Sequence, residues 1–497
     1  MRLFREEKSV LTKADKITKD LQVEDEQGKP MSAMVVISES IKYLKDHFLQ
    51  SSQNRGFKLE PGDVHFVLTV PAIWEDRAKQ FMRESAKMAG IPDEMLTLAY
   101  EPEAAAIYCK ELTVQKKGGA DSSSLSSFEP GQQFMVLDCG GGTVDITAYQ
   151  IQNDGDLREL ERPTGGPWGG TYVDKQYITF LQDLFGRDVW QEYALEDPED
   201  VLEIERRFEA KKKSVHATAD DQTTIPFPSS LFTKYQLAKK YSSVEEGLKK
   251  SRYADSVKVK KDRLRFDHQL VKAFFKNPVD SIVKHVKYLL NESQLSRKDI
   301  RTILMVGGFS DSSVLSERII AEFKKYNVIC PKDAVNAIMK GAVIFGHNPY
   351  LISERISPRT YGISVNKPFN DKVHPDKLRM YYDGRAMCTD IFQPIVQKGH
   401  PIIVGKTVFE QRSLPTRATD TEASIEMYES TSECPMYTID KGVRRLGDLS
   451  VSLPDISKGK NRPIIIEVSF GYTEIKVRAY EEGTNNEAEA TFNCLFS

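Results

Sequence analysis

The stretch that most constrains the fold is FMVLDCGGGTVDITAYQI, residues 134–151. Two apolar runs of strand composition flank three consecutive glycines, and this pattern predicts a β-hairpin closed by a glycine turn. The glycines could serve the turn alone. The two acids beside them, Asp138 and Asp145, require a further explanation.

Phosphate binding would explain both the glycines and the acids. A turn without Cβ atoms lets a phosphate approach the backbone and accept hydrogen bonds from successive N–H groups. Two carboxylates beside a phosphate would repel it, so Asp138 and Asp145 make sense around Mg²⁺, held through its retained waters, and one of them could orient an attacking water. The candidate phosphate-binding residues are Gly140, Gly141, Gly142 and Thr143. A plain hairpin with exposed aspartates accounts for the same residues equally well.

A second glycine motif follows the apolar strand TILMV, where Gly307 and Gly308 precede a helical segment. A strand that ends in glycines before a helix is a place where a nucleotide can meet a helix N-terminus. A plain strand-to-helix turn is the alternative. The two glycine motifs together favour a nucleotide site.

The rest of the chain divides by its periodicity. Residues 63–70 and 96–102 have strand composition, and residues 74–90 show the apolar spacing of a helix between them. Residues 199–216, 243–295 and 333–346 are predicted to be mostly helical, and the Gly/Ser-rich residues 116–132 a mobile surface loop. Beyond residue 355 the apolar and polar residues alternate, which predicts a separate all-β domain over 355–497.

Composition limits the compartment and the partners. A chain of 497 residues is expected to form about two to four domains. Its net charge of -3 is nearly neutral, which argues against nucleic acid or an anionic membrane as the main partner. No apolar run is long enough for a membrane span, and the N-terminus lacks the apolar core of a signal peptide. The 6 cysteines are scattered, so we expect a reducing compartment, the cytoplasm or also the nucleus.

Five ordered motifs resemble the 70-kilodalton heat-shock chaperones of the actin-like ATPase superfamily. The resemblance covers essentially the whole chain. The residues within the motifs are similar to those of a divergent branch, the heat shock 70 kDa proteins 12A and 12B. It implies an α/β, ribonuclease-H-like, two-lobed nucleotide-binding domain followed by an all-β domain. The expected parts are a remnant of the first lobe over 1–130, the second lobe over 131–350, and a partner-binding β domain over 355–497. The motifs are VPAIWEDRAKQFMRESAKMAGI, YEPEAAAIY, VLDCGGGTVDIT, TILMVGGFSDSSVL and DAVNAIMKGAVIFG.

The resemblance also implies roles for single residues. Asp138 and Asp145 would surround Mg²⁺ and the lytic water, and Glu101 would lie at the magnesium side of the cleft. In the family, the remaining positions hold phosphate, ribose or adenosine of ATP or ADP; here they are Gly140, Gly141, Gly142, Thr143, Gly169, Gly170, Lys211, Lys212, Gly307, Gly308 and Phe309. The register of the lysines in FEAKKKS is uncertain by one residue, and a solvated lysine face explains them equally well. Phe309 stands where the ordinary chaperones carry serine, and core packing is as plausible as adenine stacking.

One departure bears on function. The family's first phosphate-binding hairpin, a strand followed by D-x-G-T-x near the N-terminus, has no counterpart in this sequence. We therefore expect a fragment, a short isoform, or a domain that is completed by a partner. Two functions follow: an ATP-binding chaperone-like protein with at most slow Mg-dependent hydrolysis coupled to protein clients, or a non-catalytic adaptor with impaired nucleotide binding.

Overall fold

The glycine-centred hairpin lies at the middle of the largest sheet in the computed structural model, which describes residues 11, 17–25, 28–116, 128–218, 222–331, 333–470 and 475–491. In chain order the strands β1 to β23 are Gln22–Glu24, Pro30–Ser32, Phe66–Val70, Leu96–Tyr100, Gln133–Cys139, Val144–Ile151, Leu157–Gly166, Thr223–Pro226, Val257–Lys260, Arg263–Phe266, Ile300–Val306, Asn327–Ile329, Ile352–Ile356, Thr360–Pro368, Arg379–Tyr382, Arg385–Val396, Pro401–Ile403, Thr407–Ser413, Glu422–Ser430, Val443–Ser452, Ile464–Phe470, Ile475–Glu481 and Glu487–Thr491. The helices α1 to α11 are Ala33–Asn54, Asp76–Met88, Glu101–Lys116, Gly170–Phe185, Arg187–Glu196, Pro198–Lys212, Ser229–Lys239, Val244–Lys250, His268–Asn291, Ser313–Glu322 and Ala334–His347.

The central sheet has seven strands in the order β12-β11-β5-β6-β7-β13-β17. Strands β5 and β6 pair antiparallel as the predicted hairpin, while β11 runs parallel to β5 with Val306 opposite Asp138. Because parallel strands end at the same edge of a sheet, the two glycine motifs lie side by side. Apolar side chains cover both faces of β5, with Met135 and Leu137 in one core cluster and Phe134 and Val136 in another.

Strands β3 and β4 form a separate parallel pair. Helix α3 leaves the end of β4 and crosses α11, which follows more than 200 residues later in the sequence. The helices meet so closely that a Cβ built on Gly341 would lie 1.7 Å from the carbonyl oxygen of Ala104. This contact fixes the two-stranded pair against the seven-stranded sheet.

The β-rich part contains a five-stranded sheet, β15-β16-β14-β19-β20, and a four-stranded sheet, β18-β21-β22-β23. Their inward side chains, including Ile363, Met427 and Val468, share one apolar core. Strands β13 and β17 belong instead to the central sheet, so the chain passes directly from that sheet into the β-rich part after Ile356. The proposed domain boundaries stay a prediction.

The prediction that residues 243–295 are mostly helical is confirmed by α8 and α9, which contain most of these residues, but it missed a short hairpin. Strands β9 and β10 interrupt this region between α8 and α9. Each is four residues long and alternates basic with apolar side chains, a period-two pattern too short to stand out from the surrounding helical spacing. The predicted loop over 116–132 lies largely outside the described residues. In the part of the chain that the structure describes, no helix is both long and apolar enough to cross a bilayer.

Candidate functional site

Asp138 and Asp145 face each other across the central hairpin. The register places them directly opposite, so both side chains project from the same face of the sheet, with Cβ atoms about 5 Å apart. They are 2% and 1% exposed. Two carboxylates held together away from water repel each other unless a proton or a cation intervenes.

Asp145 is held by one group of its own hairpin and by one from the segment before α2. The N–H of Ile73 donates to Oδ1 at 3.0 Å, and the Thr143 hydroxyl donates to Oδ2 at 2.9 Å. Burial raises the pKa of Asp145 to about 7, the Ile73 hydrogen bond opposes this rise, and the negative charge of Glu101 adds to it. Asp145 therefore changes protonation near neutral pH and ties the hairpin to the loop before α2.

The glycine turn is fixed against the start of α4. Its three carbonyl oxygens accept backbone hydrogen bonds from Gly169 to Gly142 at 3.3 Å, from Gly170 to Gly140 at 3.1 Å and from Thr171 to Gly141 at 2.8 Å. A Cβ on Gly169 would lie 2.4 Å from the Gly141 oxygen, so this contact requires glycine. Among the described residues, no backbone acceptor is bonded to the N–H groups of Gly141 and Gly142. A Cβ on either would meet nothing within 4 Å, so the tip of the turn is open to a ligand.

Gly307 lies against the base of the same turn. Its φ of +81° is in the region that favours glycine, and a Cβ there would lie 2.4 Å from Asp138 Oδ1. The N–H of Phe309 donates to the Cys139 carbonyl oxygen at 2.8 Å. The structure thus brings the second glycine motif into contact with the first, and Gly308 lies beside them with open space at its Cβ position.

Lys212 is the lysine of FEAKKKS that reaches this cluster. Its Nζ donates to the Gly170 carbonyl oxygen at 3.1 Å and forms an ion pair with Asp174. Lys211 lies exposed on α6. Phe309 is 6% exposed and packs in the core beside Phe275, which is the packing alternative that the sequence left open.

The carboxylates suit magnesium better than a metal that needs many protein ligands. Among the described residues, no group of three or more His, Cys, Asp or Glu side chains is arranged to hold a metal ion. Mg²⁺ commonly binds one or two carboxylates and takes its other ligands from water and phosphate. The facing pair of Asp138 and Asp145 fits that requirement.

Sequence reasoning missed a polar junction between this site and the β-rich part. Arg355 makes a bidentate ion pair with Glu103, the Tyr361 hydroxyl donates to Asp76 at 2.9 Å, and Glu159 accepts from Ile356. A cavity of about 270 Å³ lies among these groups. The partners are distant in sequence, so no local motif could have revealed them.

The chain is similar to proteins of one family over most of its length. The family model described as Hsp70 protein matches residues 5–377. Human heat shock 70 kDa protein 12A is 30% identical over 530 residues, covering 96% of this chain and 78% of that protein. Human heat shock 70 kDa protein 12B is 30% identical over 549 residues, covering 99% of this chain and 79% of that protein. The mouse 12A protein is also 30% identical.

Proposed function

Because this chain belongs to the Hsp70 family of nucleotide-binding proteins, we propose that its central cleft binds Mg·ATP and hydrolyses it slowly, in a reaction coupled to protein-client binding. Family membership also confirms the expected fold class, an actin-like nucleotide-binding domain followed by a β-rich region.

The observation that carries the proposal is the facing pair of Asp138 and Asp145. A hairpin that needed only a turn would have no reason to bury two opposed carboxylates, because the burial destabilises the fold. Mg²⁺ bound with the nucleotide would lie between the carboxylates and the phosphate oxygens and reduce the repulsion between them. The pair therefore supports a site that is completed by a ligand.

The neighbouring residues suit the other parts of the nucleotide. The N–H groups of Gly141 and Gly142 can donate to phosphate oxygens at the open tip of the turn. Lys212 contacts the Gly170 carbonyl oxygen, so its cation lies next to the glycine turn, where Asp174 offsets part of its charge. With Mg²⁺ held beside it, the Asp145 carboxylate can accept a hydrogen bond from an attacking water and orient it toward the phosphate, which is the positioning that cleavage of ATP to ADP and phosphate requires.

The segment between Ile73 and Asp76 supports the coupling to clients. Its first residue donates to Asp145 in the site, and its last accepts from Tyr361 in the β-rich part. A shift of this short segment on ligand binding would therefore move both contacts. We propose that the β-rich part holds protein clients or adaptor partners, and that the protein works in the cytoplasm or the nucleus, where free cysteines persist.

Calorimetric titration of Mg·ATP into the full chain tests the proposal. We expect saturable binding that is weakened at least about tenfold by Asp138→Asn or Gly141→Val, because the first loses a negative charge toward Mg²⁺ and the second blocks the turn. Gly141→Val is a suitable variant, because a Cβ at this position would meet no protein atom within 4 Å, and circular dichroism checks that the variant is folded. Gly62→Val, in the exposed turn before β3 where a Cβ also meets nothing within 4 Å, controls for glycine replacement outside the site.

The absence of binding heat from a folded chain would contradict the ATP proposal. The glycine turn would then serve only to contact α4, and the chain would act as a non-catalytic adaptor. Binding that survives both substitutions would show that the nucleotide lies elsewhere. If Mg·ATP binds as expected, release of phosphate under single-turnover conditions measures the hydrolysis step.

A further inference from the structure

The small sheet β8-β10-β9 presents a strongly basic outer face. In β9 and β10 the apolar side chains, including Val257, Leu264 and Phe266, are buried in the core. The alternate side chains are exposed and all are cations: Lys258, Lys260, Arg263 and Arg265. We refer to these four residues as the basic face.

The strand register opposes like charges on this face. Lys258 lies directly across from Arg265, and Lys260 directly across from Arg263. Like charges in directly opposite positions destabilise a sheet. Among the described residues, Arg263 of this face forms an ion pair with Asp262, at 3.8 Å. The two side chains are 61% and 60% exposed, so water screens the pair and their attraction is weak.

The spacing of the basic face matches an extended chain. Cations across the strands are about 5 Å apart, and those along one strand are about 6.8 Å apart. An extended peptide places alternate side chains at the same interval of about 6.8 Å on one side of its backbone. We propose that the basic face binds an acidic, extended protein segment that carries Asp or Glu at alternate positions.

Other polyanions fit this face less well. Single-stranded nucleic acid binds through aromatic platforms as well as cations, and the outward positions of β9 and β10 carry no aromatic ring. A membrane surface favours large apolar side chains beside the cations, but Val257, Leu264 and Phe266 point into the core. Charge complementarity without stacking or insertion favours an acidic peptide.

A fluorescent twelve-residue peptide of alternating glutamate and threonine provides the probe, titrated into the full chain at low salt and followed by anisotropy. The test variant carries Lys258→Glu and Lys260→Glu together. Each change turns a like-charge pair into an opposite-charge pair, so the melting temperature should stay the same or rise. Peptide affinity should nevertheless fall at least about tenfold, because the face becomes neutral.

A matched variant with Lys324→Glu and Lys325→Glu changes the net charge equally at two exposed lysines outside this sheet. It should keep wild-type affinity, and a glutamine-threonine peptide should not bind to any variant. Failure of the acidic peptide to bind, or equal losses in the two variants, would overturn the proposal. Tighter binding of phosphatidylserine vesicles or oligothymidylate, lost in the test variant alone, would assign the face to another polyanion and also overturn it.

Discussion

The ion pair between Glu103 and Arg355 shows how a single contact joins distant parts of this molecule. Both guanidinium contacts are 2.6 Å long, Glu103 is 1% exposed, and the guanidinium lies 5.0 Å from the centre of the Tyr100 ring. The pair connects α3 to β13. Each of these buried charges is compensated by the other, so removal of either residue leaves the other buried without a counter-charge.

We expect Arg355→Met to destabilise the protein by about 3–5 kcal/mol, since it leaves the Glu103 carboxylate buried without its cation. The double variant with Glu103→Gln should recover much of that loss. Urea unfolding of both single variants and the double variant measures the coupling. Losses that simply add would contradict a mutual dependence.

At the scale of elements, the crossing of α3 and α11 depends on one glycine. Alanine is a better helix former than glycine by about 1 kcal/mol, so a glycine inside a helix usually has a packing reason. Here the reason is the Ala104 carbonyl oxygen, which a Cβ on Gly341 would meet at 1.7 Å. The crossing helices must separate to admit even one methyl group.

Gly341→Ala should therefore destabilise the protein by about 1–3 kcal/mol or more, despite the better helix propensity of alanine. Gly346→Ala in the same helix is the matched control. Its Cβ would approach the side chain of Val67 at 2.7 Å, which can move, whereas backbone cannot. The midpoint temperature of thermal unfolding should be clearly lower for Gly341→Ala than for Gly346→Ala. Equal midpoints would argue against a tight crossing.

Elements with a local signal were predictable from sequence, and contacts between distant elements were not. The hairpin around Gly140 was predicted because both strands and the turn lie within one stretch. The register of that hairpin also makes Asp138 and Asp145 neighbours. By contrast, the hydrogen bond from Ile73 to Asp145 depends on how two lobes pack, and nothing local encodes it. The hairpin of β9 and β10 was missed because four-residue strands between long helices carry little periodic signal.

At the scale of the whole molecule, the junction with the β-rich part contains a buried acid. Glu159 accepts a hydrogen bond from Ile356 at 2.7 Å, where the central sheet leads into the β-rich part. Burial raises its pKa to about 8 from the ordinary 4.5, the Ile356 hydrogen bond opposes the rise, and the nearby charge of Glu103 adds to it while Arg355 opposes it. The charge of Glu161, on the same strand, also adds to the rise.

This raised pKa gives stability a defined pH dependence. Between about pH 4.5 and pH 8 the folded protein keeps a proton on Glu159 that the unfolded chain has released. The free energy of unfolding should therefore fall as pH rises through this window, by at most about 1.4 kcal/mol per pH unit from this group. Urea midpoints measured from pH 5 to pH 9 should show the decline, and Glu159→Gln should make it shallower.

Glu94→Gln, at an exposed position outside the junction, serves as the control and should keep the wild-type slope. Because Glu159 lies at the junction, limited proteolysis of the chain after Ile356 should follow the same pH dependence. An unchanged slope in Glu159→Gln would contradict the role of this carboxyl.

The pairing of Glu103 with Arg355 also has a consequence for synthesis on the ribosome. The two residues are 252 positions apart, and at about 5–20 residues per second the partner of Glu103 emerges roughly ten to fifty seconds later. Until then α3 cannot bury Glu103 with its charge compensated, and the nascent first lobe lacks a contact on which its final packing depends. Completion of the amino-terminal part should therefore come late in synthesis, and the growing chain should be a substrate for chaperones during that interval.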